Sequence, residues 1–274
     1  VIQGQSEHTA KKQYGLGKVL NQWLSIVERI KFKALNGAYS DEMRSIALRN
    51  ALYIDANAGS GWNNKVNCIG SPLLFLKEAS RYEFKKDIHF IEEDASQMVS
   101  LGATLLNDFP EEEIELWNGN NREILPKIVE QSGKRYGLIY YDPNGPKDLF
   151  ESVANICDHS NSRFIDVLIR LSGTDYKRVK NGLNAFGIKN NQAHLIGKYP
   201  NLKDQLKIIK KKVWLIRDII DPDPAQWTFL FGTNWTDYPS WETQGFYKTT
   251  SSKGTAILNR VSYTIPELDN YDKV

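Results

Sequence analysis

The sequence predicts an α/β protein, a doubly wound and mostly parallel sheet that ends in an antiparallel hairpin. Three observations carry that expectation. Short apolar runs alternate with segments of helical period about five times along the chain, and such alternation builds a parallel sheet covered by helices on both faces. The runs are too short for full helices and are bounded by turn residues, so they read as buried strands. After Lys210 the alternation stops, and two further runs are joined by Asp221-Pro222-Asp223-Pro224, a turn-forming stretch that suits a closing hairpin.

The elements follow in order. Residues 1 to 10 lack periodicity and read as a loose arm. Leu16, Val19, Leu20, Trp23, Leu24, Val27 and Ile30 recur at spacings of three and four, which places them on one side of an amphipathic helix that should pack on the core. Strands are expected at Ala51 to Ala56, Ile88 to Glu92, Ile114 to Trp117, Leu138 to Asp142 and Phe164 to Leu171. Helices are expected at Pro72 to Tyr82, Ala95 to Asn107, Arg122 to Glu130, Lys147 to Cys157 and Asp175 to Phe186. The hairpin strands are Val213 to Ile219 and Trp227 to Phe231. Residues 234 to 274 have no clear period and read as an appendage or a strand-rich extension. The expected division is 1–45 for arm and first helix, 46–233 for the sheet domain, and 234–274 for a carboxyl-terminal extension.

Composition excludes several classes. No apolar run approaches the roughly 18 residues that cross a bilayer, so no membrane span is expected. Two cysteines, Cys68 and Cys157, and four scattered histidines make neither a disulfide framework nor a zinc site, so no metal is expected. A reducing, cytoplasmic compartment fits the two ordinary thiols, and no export signal is read at the amino end. The net charge of +2 hides a separation of signs: from Lys177 to Arg217 eleven basic residues face one acid, Asp204. Such a strip attracts phosphate, and Lys177, Arg178, Lys180, Lys210, Lys211 and Lys212 are its candidate nucleic-acid contacts.

In open parallel sheets, ligands bind outside the carboxyl ends of the strands, so the residues ending each run carry the chemistry. The first run ends in Asp55-Ala56-Asn57-Ala58-Gly59-Ser60-Gly61. Its glycines allow close approach of the main chain to a ligand, and Asp55, Ala56, Gly59, Ser60 and Gly61 are the candidate contacts. The next helix is expected to start only at Ser71 as N-cap and Pro72 in the first turn, which disfavours a nicotinamide fingerprint. No Gly-Lys-Ser/Thr is present, which excludes a P-loop. The second run ends at Glu92, an acid able to accept both ribose hydroxyls of an adenosine, while Asp94 suits a helix cap better. The third ends in Trp117-Asn118-Gly119-Asn120, where Asn118 and Gly119 could line an adenine edge. The fourth ends in Tyr140-Tyr141-Asp142-Pro143-Asn144-Gly145, an acid emerging from a buried strand into a proline-stiffened turn.

Five parallel strands followed by a hairpin, with these tips, resemble the Rossmann-like class I S-adenosylmethionine-dependent methyltransferases over roughly residues 11 to 232. Asp55 to Gly61, Glu92 and Asp142 to Gly145 look like the cofactor loop, ribose acid and catalytic loop of the nucleic-acid amino-methyltransferases of adenine type. Gly70-Ser71-Pro72 and the bare Asp-Pro-x-Gly form also resemble the three-Cys-motif partner family. The resemblance implies S-adenosylmethionine as cofactor, with Asp55, Gly59 and Gly61 around its methionine part and Lys18 near the carboxylate. It implies Asp142, Pro143 and Asn144 at the acceptor, with Asp142 orienting an exocyclic base amine. The departures are Asn57 for an aromatic, Asn144 for a second proline, and Gly145 where an aromatic would stack on a base. Tyr140, Tyr141 or Trp62 is left to substitute for that ring. DNA is the expected acceptor ahead of RNA, with a protein partner able to supply specificity. The alternatives are a non-catalytic nucleic-acid-binding subunit beside a catalytic partner, and a methyltransferase for a small-molecule or protein acceptor.

Overall fold

A computed structural model describes residues 9–63, 67–142, 151–157, 159–172, 206–220, 227–236 and 241–262. The chain opens with α1 (Thr9–Leu35) and α2 (Asp41–Leu48). It continues through β1 (Ala51–Asp55), a small hairpin of β2 (Trp62–Asn63) and β3 (Cys68–Ile69), and α3 (Ser71–Ala79). Then come β4 (Lys86–Glu92), α4 (Ala95–Asp108), β5 (Ile114–Asn118), α5 (Asn121–Ser132), β6 (Gly137–Tyr141), α6 (Glu151–Cys157) and β7 (Ile165–Ser172). The described chain closes with β8 (Val213–Arg217), β9 (Trp227–Thr233), β10 (Phe246–Lys248) and α7 (Ser252–Ser262). The expected helix at Asp175 to Phe186 lies outside the described residues.

Eight strands form one sheet in the order β10-β8-β9-β7-β6-β1-β4-β5. The pairs β1·β4, β4·β5, β1·β6 and β6·β7 are parallel, whereas β9 runs antiparallel to both β7 and β8, and β10 antiparallel to β8. The chain winds outward from β1 to β4 and β5, then returns to β6 and β7 on the other side. The order therefore reverses beside β1, between it and β6, and the crevice at such a switch point is where a ligand of this architecture binds. This is the expected Rossmann-like fold with its closing hairpin. Of residues 234–274, read as an appendage or a strand-rich extension, the described part supplies β10 to the sheet edge and α7 to its cover.

Side chains alternating along each strand divide the core into two layers. On one face Tyr53, Phe90, Leu138, Tyr140, Leu168, Phe229 and Phe231 meet the apolar stripe of α1, together with α3 and α4. On the other, Leu52, Ile54, Ile91, Ile139, Val167 and Ile169 meet α5, α6 and α7. The predicted stripe of α1 is buried from Leu16 to Val27, with Leu16, Leu20 and Leu24 fully covered. Gly15 brings α1 close to the sheet: a Cβ there would lie 2.7 Å from Ile220, and its carbonyl accepts a 2.8 Å bond from the Arg217 guanidinium. No helix among the described residues is long and apolar enough to cross a membrane.

Candidate functional site

The ends of β1, β4, β5 and β6 share one edge because their strands are parallel, and hydrogen bonds stitch them together. The Ala58 amide donates to the Ile91 carbonyl (2.9 Å), and the Gly59 amide donates to Glu92 Oε2 (2.8 Å). Glu92 Oε1 accepts from the Asp94 amide at 2.9 Å. The Gly119 amide and the Asn118 side chain both donate to the Glu92 carbonyl, at 3.0 and 2.9 Å. The Ala56 amide donates to the Tyr140 carbonyl at 2.9 Å, and the Ala56 carbonyl accepts from Asn121 Nδ2 at 3.1 Å. Asp55, Ala56, Gly59, Glu92, Asn118 and Gly119 are thus gathered as the sequence predicts.

The glycine loop owes its shape to backbone that only glycine adopts easily: Gly59 has φ +64° and Gly61 φ +75°. The Gly61 carbonyl accepts from the Gly70 amide at 2.7 Å, which closes the β2–β3 hairpin back onto the loop. Ser60 faces its own loop, its hydroxyl donating to the Trp62 carbonyl at 2.8 Å. The helix after the hairpin begins one residue earlier than expected, with Gly70 as N-cap and Ser71 as first residue. Asp94 caps α4 through the Ser96 and Gln97 amides, which leaves Glu92 as the strand-end acid.

Asp55 is completely buried. Its Oδ1 accepts from the Asn57 amide at 3.1 Å, while Oδ2 has no hydrogen-bond partner. Burial pushes its carboxyl up to about 7; Ser71 and the Asn57 amide draw it down, and the charges of Asp142 and Glu92 push it up again. That coupling places three carboxyl groups within electrostatic reach of one another. Unpartnered buried atoms recur here: Asn57 Oδ1, the Tyr53 hydroxyl and Gln13 Oε1 have none either. Buried polar atoms are nearly always satisfied in folded proteins, so such groups call for a further partner, an ordered water or a ligand.

Asp142 is held in a clamp the sequence does not announce. Lys12 Nζ lies 2.8 Å from Oδ2, the Tyr140 hydroxyl donates to the same oxygen at 3.2 Å, and Arg170 Nε is bonded to Oδ1. Burial alone would raise the carboxyl, but Arg170 and Lys12 outweigh it and hold Asp142 well below the usual carboxylate range. Arg170 was legible as a lone cation inside the buried run 164–171. Lys12 was not, because it is one of two adjacent lysines in a first helical turn.

Several expectations change. Lys18 is exposed and lies over the Tyr14 ring at 4.4 Å, so Lys12, not Lys18, is the lysine of α1 that reaches this edge. Tyr140 and Tyr141 are both buried, the first using its hydroxyl on Asp142 and the second facing the α5 and α6 layer, so neither offers a free ring to a base. Trp62 is 37% exposed and keeps that possibility. Pro143, Asn144, Lys177, Arg178 and Lys180 lie outside the described residues. Lys210, Lys211 and Lys212 lie at the opposite edge of the sheet, near the amino end of β7. Lys211 Nζ caps the carbonyls of Ser162 (3.0 Å) and Ile165 (2.7 Å), a structural role rather than a phosphate contact. Lys210 and Lys212 are exposed there. Asp87, His89 and Glu115 bring ligand-type atoms together away from this edge. The Trp117 indole donates to His89 Nδ1 (3.1 Å) and Arg135 pairs with Asp87 (2.5 Å), so the cluster is internally engaged.

No family model matches the chain, and no curated protein matches it. Among solved structures it is similar to an rRNA methylase from Streptococcus thermophilus, at 12% identity over 67% of this chain and 87% of that one, with a TM-score of 0.36. A fibrillarin/Nop5p complex matches at 15% identity over 70% and 81%, with a TM-score of 0.39. The plantazolicin methyltransferase BamL, in complex with a triazolic desmethylPZN analogue and SAH, matches at 13% over 79% and 86%, with a TM-score of 0.42.

Proposed function

We propose that this protein is an S-adenosylmethionine-dependent methyltransferase whose acceptor is a nucleic-acid base, an exocyclic amine such as that of adenine. The observation that carries the reading is the convergence of the glycine loop, Asp55, Glu92 and Asp142 on the carboxyl edge of β1 and its neighbours, at the switch point of the sheet. The residues fit the cofactor. Gly59 and Gly61 leave the loop bare of side chains, Asp55 Oδ2 and Asn57 Oδ1 are buried without partners, and Glu92 spends one hydrogen bond on each oxygen. A carboxylate has about four acceptor sites, so Glu92 keeps capacity for two ribose hydroxyls. Asp55 and Asn57 would meet the methionine part, and Asn118 and Gly119 the adenine. When bound, the cofactor supplies an electrophilic methyl group on a sulfonium.

The chain's own part is orientation. Asp142 is kept ionised and rigid by Lys12, Arg170 and the Tyr140 hydroxyl. A carboxylate so held accepts an amine hydrogen and aims the nitrogen, but its lowered pKa makes it a poor final base. The proton released from the methylated amine therefore goes to water rather than staying on Asp142. Pro143 and Asn144, the next residues of the turn, are proposed to complete the acceptor side. DNA is the first acceptor to test and RNA the second.

One observation favours a different reading. Both Asp142 oxygens are engaged by cations, which suits a subunit that keeps the fold and binds nucleic acid while a partner performs catalysis. Transfer of a labelled methyl group to DNA and RNA separates the two, with Asp142→Ala as control, and mass spectrometry of bases from cells expressing the protein identifies the acceptor. Under the enzyme reading, S-adenosylhomocysteine raises the melting temperature and Glu92→Ala lowers the apparent affinity behind that shift at least tenfold, since tenfold is about 1.4 kcal/mol and one charged hydrogen bond is worth about 1.5–3 kcal/mol. A melting curve unmoved at millimolar ligand would overturn the cofactor assignment.

A further inference from the structure

The sheet ends at β5, and among the described residues nothing pairs with its outer side. The Gly119 amide bonds inward to the Glu92 carbonyl. Main-chain direction alternates along a strand, so the amides and carbonyls of Ile114 and Leu116 face outward. An open edge of this kind is a template for a further strand.

Beside that edge runs an exposed apolar strip. Val99, Gly102, Ala103 and Leu106 recur at spacings of three and four on one side of α4, while Met98, Leu101 and Leu105 are buried on the core side. Val99 is 73% exposed, Leu106 77% and Leu116 40%. Gly102 lets the helix lie against the strand: a Cβ there would lie 3.3 Å from Leu116 Cδ1, so helix strip and strand edge form one surface. Single exposed apolar residues are ordinary, but an aligned set beside an unpaired edge marks an interaction surface.

The flank has one sign of charge. From Glu92 to Asn121 the chain carries eight acids and no lysine or arginine, and Asp108, Glu111, Glu112, Glu113 and Glu115 are all exposed. Glu112 acts on Lys86 of β4, and Glu115 lies 3.5 Å from His89 Nδ1, which leaves the flank acidic overall. Charge on an edge strand protects against unwanted pairing, but protection alone does not explain a valine and two leucines left bare beside it.

We infer that this flank docks a basic segment of a partner protein, added as a strand beside β5. The sheet fixes how such a segment alternates. Leu116 pairs with Phe90 and shares its face, whereas Glu115 pairs with His89 and points to the other. Apolar side chains of the segment therefore cover Leu116, Leu106 and Val99, and its lysines or arginines meet Glu115 on the opposite face. A second copy that offers this same flank sets acid against acid, which destabilises paired strands. Nucleic acid is repelled by the same charge.

The test is equilibrium binding to the full chain without methyl donor or nucleic acid, so its outcome is independent of whether methyl transfer occurs. The probes are three end-blocked, eight-residue peptides: valine alternating with lysine, valine alternating with glutamate, and the lysine peptide with two central prolines, which cannot donate main-chain hydrogen bonds. The lysine peptide should bind and slow hydrogen exchange at the Leu116 amide, and the other two should bind at least tenfold more weakly. Val99→Arg/Leu106→Arg, two exposed changes outside the core, should weaken the lysine peptide about tenfold or more, and Glu115→Lys about fivefold. No binding of that peptide at millimolar concentration, binding unchanged in either variant, or exchange at Leu116 unmoved by it would overturn the proposal. So would a dimer in sedimentation that Val99→Arg/Leu106→Arg dissolves, because a second copy is then the occupant.

Discussion

Asp142 shows how an acid can be expected at its place while the partners that hold it are not. Its place at a strand end is legible, but its partners come from α1 and β7, remote in sequence, and they decide its charge state. Removing one member of a buried ion cluster leaves the others uncompensated, at a cost of about 3–5 kcal/mol. Asp142→Ala should therefore lose stability by that order in denaturant melts as well as activity, and Lys12→Met in the same background should recover part of it. Asp55 has the opposite character. Its folded pKa is raised to about 7 by burial, so the stability it contributes is full below its unfolded value near 4 and is lost as pH rises through 7. Asp55→Asn, which fixes the uncharged form, should raise the melting temperature at pH 8 by several degrees relative to the parent and change it little at pH 4. Equal shifts at both pH values would refute the assignment.

The helices and most strands of the parallel part were readable because each buries both faces of a strand or one stripe of a helix; β5, at the sheet edge, departs from the buried strand expected there, with Glu115 and Leu116 exposed. The burial of every residue from Ala51 to Asp55 is what a continuous apolar run implies. The elements that escaped are those with little periodicity to offer. The β2–β3 hairpin has two residues per strand, and β10 has three, held by pairing with β8 rather than by its own pattern. Helix α7 is amphipathic, yet it follows a stretch of tryptophans, glycines and polar residues that obscured its start. At the site, the strand-end residues were legible because parallel topology brings ends together. Lys12 was hidden because helix position alone does not reveal which residue meets a strand end. Gly254 gives the element-scale prediction. A Cβ there would lie 2.0 Å from the Lys248 carbonyl oxygen, a backbone atom that cannot swing away. Gly254→Ala should loosen α7 from β10 and raise hydrogen exchange at both while leaving the amides of β1 and β4 protected.

Across the whole molecule, stability is shared between two apolar layers, and α1 spans much of one of them. Leu24 is fully buried in that layer, so Leu24→Ala should cost about 2–5 kcal/mol. Two of the contacts α1 makes are of very long range: Lys12 with Asp142 is 130 residues apart and Arg217 with Gly15 is 202. Contacts of that separation form late because loop closure must be paid for first. The loss in Leu24→Ala should then appear mainly as faster unfolding with refolding nearly unchanged, and a matching slowdown in refolding would refute this order of events.

The tie between Gly15 and Arg217 reaches beyond the finished molecule. During synthesis α2 and α3 emerge soon after α1 and can cover part of its stripe, whereas β8, which brings Arg217 to Gly15, follows 202 residues behind. At roughly 5–20 residues per second this interval is on the order of ten seconds or more. For that long the part of α1 around Gly15, which ends beside Arg217, Ile220 and Phe229, stays uncovered, a place where a chaperone can bind and premature self-association can begin.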